Sequence, residues 1–64
     1  MSERIIKLLL EDIFDSINYI KTFTHGMDYE AYSSNLQTKH AVSHNLTVIG
    51  EASSKLPKEL YSLF

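Results

Sequence analysis

The chain reads as an all-α protein folded as an antiparallel helical hairpin, and three features of its 64 residues support this. Apolar residues recur at steps of three and four through two long segments, the period of a single helix face. Helix-starting and helix-stopping residues punctuate those segments at matching places. No run long enough to matter alternates apolar and polar residues, so no strand candidate survives.

Ser2 followed by Glu3 is a sound helix start: the serine caps, and the acid sits where the positive helix end favours it. Ile6, Leu9 or Leu10, Ile13, Ile17, Ile20 and Phe23 then form an apolar stripe. Glu11, Asp12, Asp15, Asn18 and Lys21 take the other side. Ile5 and Ile6 are both β-branched and lower helix propensity slightly, but the run is too long and too regular for a strand. Gly26, after His25, is the stop, because glycine enters the left-handed cap conformation without strain. Asp28 caps a short second helix over about Tyr29 to Ser34, and Ser33-Ser34-Asn35 punctuates again. A third helix is predicted from about Gln37 to Lys55, ended by Pro57, which disfavours helical geometry in the residue before it. The segment from Lys58 to Phe64 can add a turn or two.

The third helix carries two stripes. Val42, Leu46, Ile49, Ser53 and Leu56 face a partner helix, while His40, His44, Thr47 and Glu51 make a polar row opposite. Gly50 interrupts this helix at a cost of about 1 kcal/mol relative to alanine. Close approach of another backbone is the expected compensation, which places Gly50 at a helix contact.

Size limits what such a hairpin can do alone. A chain of this length buries only about 60% of the surface its unfolded form exposes. It has no cysteine, hence no disulfide staple and no thiolate metal site. Two helices cannot enclose a core, so association with another chain is expected to complete it, as a homo-oligomer. The interface is expected to draw on Ile13, Ile17, Ile20, Val42, Leu46, Ile49 and Gly50. Net charge is −2 and no basic run exists, so composition gives nucleic-acid binding no support of its own. The longest apolar run, Ile5 to Leu10, is broken by Lys7 and far too short for a bilayer. Its flanks lack the pattern of a secretion signal, and the expected location is the cytoplasm, with no membrane partner.

Chemistry-bearing residues are few. His40 and His44 stand four apart, a spacing that lets two imidazoles reach one zinc ion, with Glu51 two turns further on. A solvated polar row explains the same residues without a metal, and neither metal nor cofactor is expected. His25 falls at a helix C-terminus, where positive charge is favoured, so a capping role is the simpler reading than general-base catalysis. Tyr19, Tyr29, Tyr32 and Tyr61 read as core or interface rings with their hydroxyls at the edge. Glu51 has Lys55 four residues on, and Asn45 lies near the apolar border, where a hydrogen bond to a neighbouring helix accounts for it.

The segment Asn45-Leu46-x-x-Ile49-Gly50-Glu51-Ala52, followed by Lys55-Leu56-Pro57, resembles the central helix of HepT-like proteins. So do Leu10-x-Asp12-Ile13 upstream, Thr24-His25-Gly26-Met27-Asp28-Tyr29-Glu30, and Lys39-His40-Ala41-Val42. The HepT-like proteins are toxin partners of MNT nucleotidyltransferase antitoxins, within the HEPN group of helical ribonucleases. The resemblance implies a HEPN-like helical bundle and metal-independent cleavage of RNA at a dimer cleft by the complete protein. It also implies a nucleotidyltransferase partner. Asn45 and Glu51 would be polar residues that help orient the catalytic pair. The family signature, similar to Arg-x(4–6)-His-x-Tyr, belongs to a later helix. The lone arginine here, Arg4, has no histidine at that spacing. Residues 1–64 are therefore expected to be a single truncated domain, the non-catalytic half of such a toxin, inactive by itself. A non-catalytic dimerisation module that binds the nucleotidyltransferase is the alternative.

Overall fold

The structure, a computed structural model, describes residues 1–61, with the side chain of Tyr61 and residues 62–64 outside the description. Four helices follow in order: α1 (Glu3–Thr24), α2 (Tyr29–Ser34), α3 (Leu36–Ser54) and α4 (Lys58–Tyr61). The described residues are all-α. Each of the first three helices opens on a side-chain cap. Ser2 Oγ accepts the Ile5 amide at 3.2 Å, Asp28 Oδ1 that of Ala31 at 2.8 Å, and Asn35 Oδ1 that of Thr38 at 3.0 Å. Such caps satisfy N–H groups that a helix start otherwise leaves without partners. Gly26 closes the first helix with φ +74°, the left-handed conformation expected of it.

The boundaries match expectation to within a residue. The third helix starts at Leu36 rather than Gln37, because Asn35 is itself the cap. It ends at Ser54, with the Lys55 amide donating back to the Ala52 and Ser53 carbonyls. Of the C-terminal segment, Lys58–Tyr61 forms the short α4 and the rest lies outside the described residues.

α1 and α3 pack side by side as the two arms of the hairpin, with α2 at the connection end against α3. The most buried residues of their contact have small or medium side chains. Ser16 and Asn45 are 3% and 7% exposed, and Val42 and Ala52 are the buried apolar residues. Ile6, Leu9, Ile13 and Ile20 from α1, with Ala41, Val48 and Ile49 from α3, are half-buried around them. This rotates both predicted stripes. Ile17 and Leu46 turn outward, Leu46 remaining 56% exposed, while Ser16 and Asn45 occupy the seam. Small residues at a helix contact let two helix axes approach closely, which gives a physical reason for Ser16 and Asn45, rather than Leu46, to occupy the seam.

Within the single hairpin, Gly50 does not make the close helix contact expected of it. It is exposed, and a methyl group added at its α-carbon would meet no atom within 4 Å. No helix among the described residues approaches it.

The molecule is long and thin, 42 × 20 × 16 Å, with a radius of gyration of 14.2 Å. A compact chain of this length has a radius near 11 Å. Its accessible surface is 5218 Å², against roughly 4,200 Å² for a compact monomer of this mass. The excess is apolar in good part: Ile5, Leu8, Leu10, Phe14, Tyr19, Phe23, Leu36 and Leu46 all face outward.

Candidate functional site

The polar row of α3 forms as expected. His40, His44, Thr47 and Glu51 are all exposed along one side of the helix. Thr47 Oγ1 donates to the Ser43 carbonyl at 3.0 Å, a bond within its own helix. Among the described residues no group of three or more histidine and acidic side chains is placed to hold a metal ion. Glu51 makes no ion pair with Lys55; the described ion pair is Lys7 with Glu11, at 3.9 Å and well exposed. Exposed helix pairs of this kind contribute at most a few tenths of a kcal/mol.

Asn45 stands apart from that row. Buried in the α1–α3 seam, it donates from Nδ2 to the Ala41 carbonyl at 2.8 Å. The bond goes to its own helix, one turn back, and not to a neighbouring helix as its position suggested. Pairing the amide locally lets a polar group occupy the seam without a partner from α1. Six residues separate Asn45 from Glu51, so the two point about 120° apart around α3 at 100° per residue. They cannot support the same reacting group within this chain.

The remaining sequence candidates are dispersed. His25 is the C-cap residue of α1, and its backbone N–H donates to the Thr22 carbonyl at 3.4 Å. Arg4 lies in the first turn of α1, so about 31 Å of helix separates it from His25 at 1.5 Å per residue. His40 and His44 fall in the first half of α3, alongside the far half of α1 from Arg4. No guanidinium therefore meets an imidazole among the described residues. Tyr29 is 81% exposed and is not a core ring; Tyr32 is half-buried. Tyr19 and Phe23 stack one turn apart, ring centres 6.4 Å from each other, on the open side of α1. The described residues enclose no cavity. What this hairpin presents is surface: one polar row on α3 and broad apolar rows on α1.

Sequence reasoning missed two features here. Ser16, the most buried residue described, was absent from both stripes, although it falls three after Ile13 and four before Ile20. Phe14 was placed on neither side of α1. Its spacing from Leu10 and Ile17, four back and three on, was the available signal for a second apolar row.

A profile of the family described as Ribonuclease HepT-like matches residues 13–64. The chain belongs to the HepT-like ribonuclease family. Two Methanocaldococcus jannaschii proteins named "Putative RNase" are 45% and 43% identical to it over 60 residues. Each alignment covers 94% of this chain, and 52% and 50% of the respective relatives. A Thermococcus cleftensis protein named "Probable ribonuclease HepT" is 37% identical over 54 residues, 84% of this chain and 49% of the relative. No solved structure matches the chain. The HepT-like match takes in α2, α3 and the second half of α1, so Asn45 in the seam and the polar row with Glu51 both lie within it. This chain spans about half the length of the curated HepT-like relatives it matches. No helix among its described residues is long and apolar enough to cross a membrane.

Proposed function

We propose that the chain is the helical scaffold portion of a HepT-type endoribonuclease, the toxin of a toxin–antitoxin pair acting in the cytoplasm. In this reading it does not cleave RNA by itself. The observation that carries this is the combination of family membership with separated chemistry. The match runs through α3, yet Arg4 and the three histidines stand at different places on the hairpin. Cleaving a phosphodiester needs a proton-transfer group held against a charge stabiliser, and a lone guanidinium at a helix start supplies neither geometry nor partner.

In the complete protein the reacting arginine and histidine would come from residues that the relatives have and this alignment does not reach. No metal is required for that pair. Glu51 is the better placed of the two supporting candidates, because it is open to approach from outside. Asn45 acts by fixing the seam on which that helix rests. A nucleotidyltransferase antitoxin is the expected neutralising partner. A second reading, a non-catalytic module that only binds this partner, draws support from the apolar rows left open on α1.

Incubating purified chain with RNA, with and without divalent metal, tests the first reading. The RNA should stay intact. Cleavage that survives repurification and disappears in the His40→Ala/His44→Ala double variant would move the chemistry to the polar row. Fusing the chain to the half of the 45%-identical relative that it does not cover should give RNA cleavage. A folded but inactive fusion would favour the binding module.

A further inference from the structure

One row of α1 faces outward along the whole helix and mixes charge with apolar surface. Ile5, Leu8, Asp12, Asp15, Tyr19 and Phe23 follow at steps of three and four, and all are exposed. The row spans about 27 Å at 1.5 Å per residue. Each member stands one residue before a buried or half-buried position, Ile6, Leu9, Ile13, Ser16, Ile20 and Thr24 in turn. The row therefore lies about 100° round from the seam. His44 and Glu51 of α3 likewise stand one residue before buried Asn45 and Ala52. In an antiparallel pair of right-handed helices, stepping back one residue from the contact turns to the same side on both arms. The polar row of α3 thus borders this row of α1.

The order along the row is apolar, acid, acid, apolar. Asp12 and Asp15 are a turn apart, where like charges destabilise a helix. Neither carboxylate has a hydrogen bond or ion pair among the described residues. The chain's own cations do not answer them. Arg4 and Lys55 belong to the Ile5 end of the row. Arg4 is about 12 Å of helix before Asp12, beyond the roughly 8 Å screening length at physiological salt. Lys7 is paired with Glu11. Lys21 points about 200° round from Tyr19, and Lys39 donates to the Ser33 carbonyl at 3.3 Å. One turn past Asp15, the stacked rings of Tyr19 and Phe23 are 55% and 42% exposed. Aromatic faces attract cations, guanidinium more often than ammonium. A carboxylate one turn away can take the same guanidinium in a two-pronged hydrogen bond.

We propose that this row is a docking surface for a basic amphipathic helix of a different protein, one with two arginines a turn apart between apolar residues. The arginines meet Asp12 and Asp15. The apolar residues beyond them pack on Leu8 at one end and on the Tyr19–Phe23 pair at the other. A second copy of the chain does not suit the row, because antiparallel pairing about its centre sets Asp12 against the copy's Asp15. RNA does not suit it either. Its bases could stack on the rings, but its phosphates would face Asp12, Asp15 and Glu51 with no lysine or arginine beside them. Docking here needs no catalytic residue, so it stands or falls apart from the ribonuclease reading.

Titrating the full isotope-labelled chain with a synthetic helical peptide, followed by amide NMR signals, tests it. The probe carries the row Leu, Leu, Arg, Arg, Leu, Leu at steps of three and four, with alanine and glutamine elsewhere. A control peptide has glutamate in place of both arginines. The arginine peptide should bind with a dissociation constant below about 1 mM and shift the amides around Asp12, Asp15, Tyr19 and His44. Binding should weaken several-fold between about 0.05 and 0.5 M salt. The Asp12→Asn/Asp15→Asn double variant should bind on the order of tenfold more weakly. Its helicity by circular dichroism should be kept, because both side chains are exposed. Phe14→Asp, on the other side of α1, should leave binding unchanged. No binding at about 1 mM peptide overturns the proposal, as does equal binding of the glutamate peptide or indifference to the double variant. Shifts centred on Leu10, Phe14 and Leu46 overturn it too. So does a uridine-rich oligoribonucleotide that shifts Tyr19 and Phe23, which would make the row an RNA surface.

Discussion

Gly50 and Asn45 exchange the roles their sequence positions suggest. Glycine inside a helix invites an explanation by close packing, yet the space around this one is open. Gly50→Ala should therefore stabilise the chain by up to about 1 kcal/mol, the propensity difference alone. Urea denaturation followed at 222 nm measures it, and a loss of stability would mean that something does pack there. Asn45, which looked peripheral, sits in the seam at 7% exposure. Asn45→Asp removes the donor to the Ala41 carbonyl and sets a carboxylate against that oxygen. A cost of about 1–3 kcal/mol is expected, against about 1 for Asn45→Ala. Equal costs for the two would show that the carboxylate escapes to water. Hydropathy cannot make this distinction, because it ranks Leu46 above Asn45, whereas close packing of two helices ranks small residues first. Ser16 was hidden for the same reason.

At the level of elements, the signals were local and therefore legible. Ser2, Asp28, Gly26 and Pro57 each act within a few residues of themselves, and the helices begin and end where those residues direct. The rotation of α1 and α3 about their axes depends on the partner surface and was not legible. The caps give a graded prediction. Removing one costs about 0.5–2 kcal/mol, but the readout should depend on the helix. α2 has six residues, and little beyond Asp28 and its packing on α3 holds it. Asp28→Ala should strip hydrogen-exchange protection from the α2 amides while leaving α1 nearly unchanged. Asn35→Ala removes the cap of a 19-residue helix that forms half the hairpin, and should lower global stability instead. Uniform loss of protection in both variants would mean that α2 and α3 unfold as one unit.

At the level of the molecule, the seam buries too little. No large side chain among the described residues is fully enclosed, and a hairpin with so small a core is marginal in water. Anything that covers the open rows of α1 then contributes directly to folding stability. The thermal midpoint should rise with chain concentration. A midpoint constant from about 1 to 100 μM would mean that the single hairpin is stable enough unaided. The family was legible in the Asn45–Ala52 segment and the text around it. Its chemistry was not: Arg4 and the three histidines, side chains of types that could serve it, stand apart on this hairpin.

The capped connection between the arms has a kinetic consequence. Only residues 25–35 separate α1 from α3, and Asp28, Asn35 and Gly26 each fix part of that path in advance. Closing a loop of this size takes about 10–100 ns, and proteins rich in local contacts fold in microseconds to milliseconds. During synthesis at about 5–20 residues per second, such a hairpin has time to sample its seam many times before a following segment could be made. Temperature-jump relaxation of the chain should be correspondingly fast, and in Asp28→Ala it should slow only if α2 forms before the arms meet.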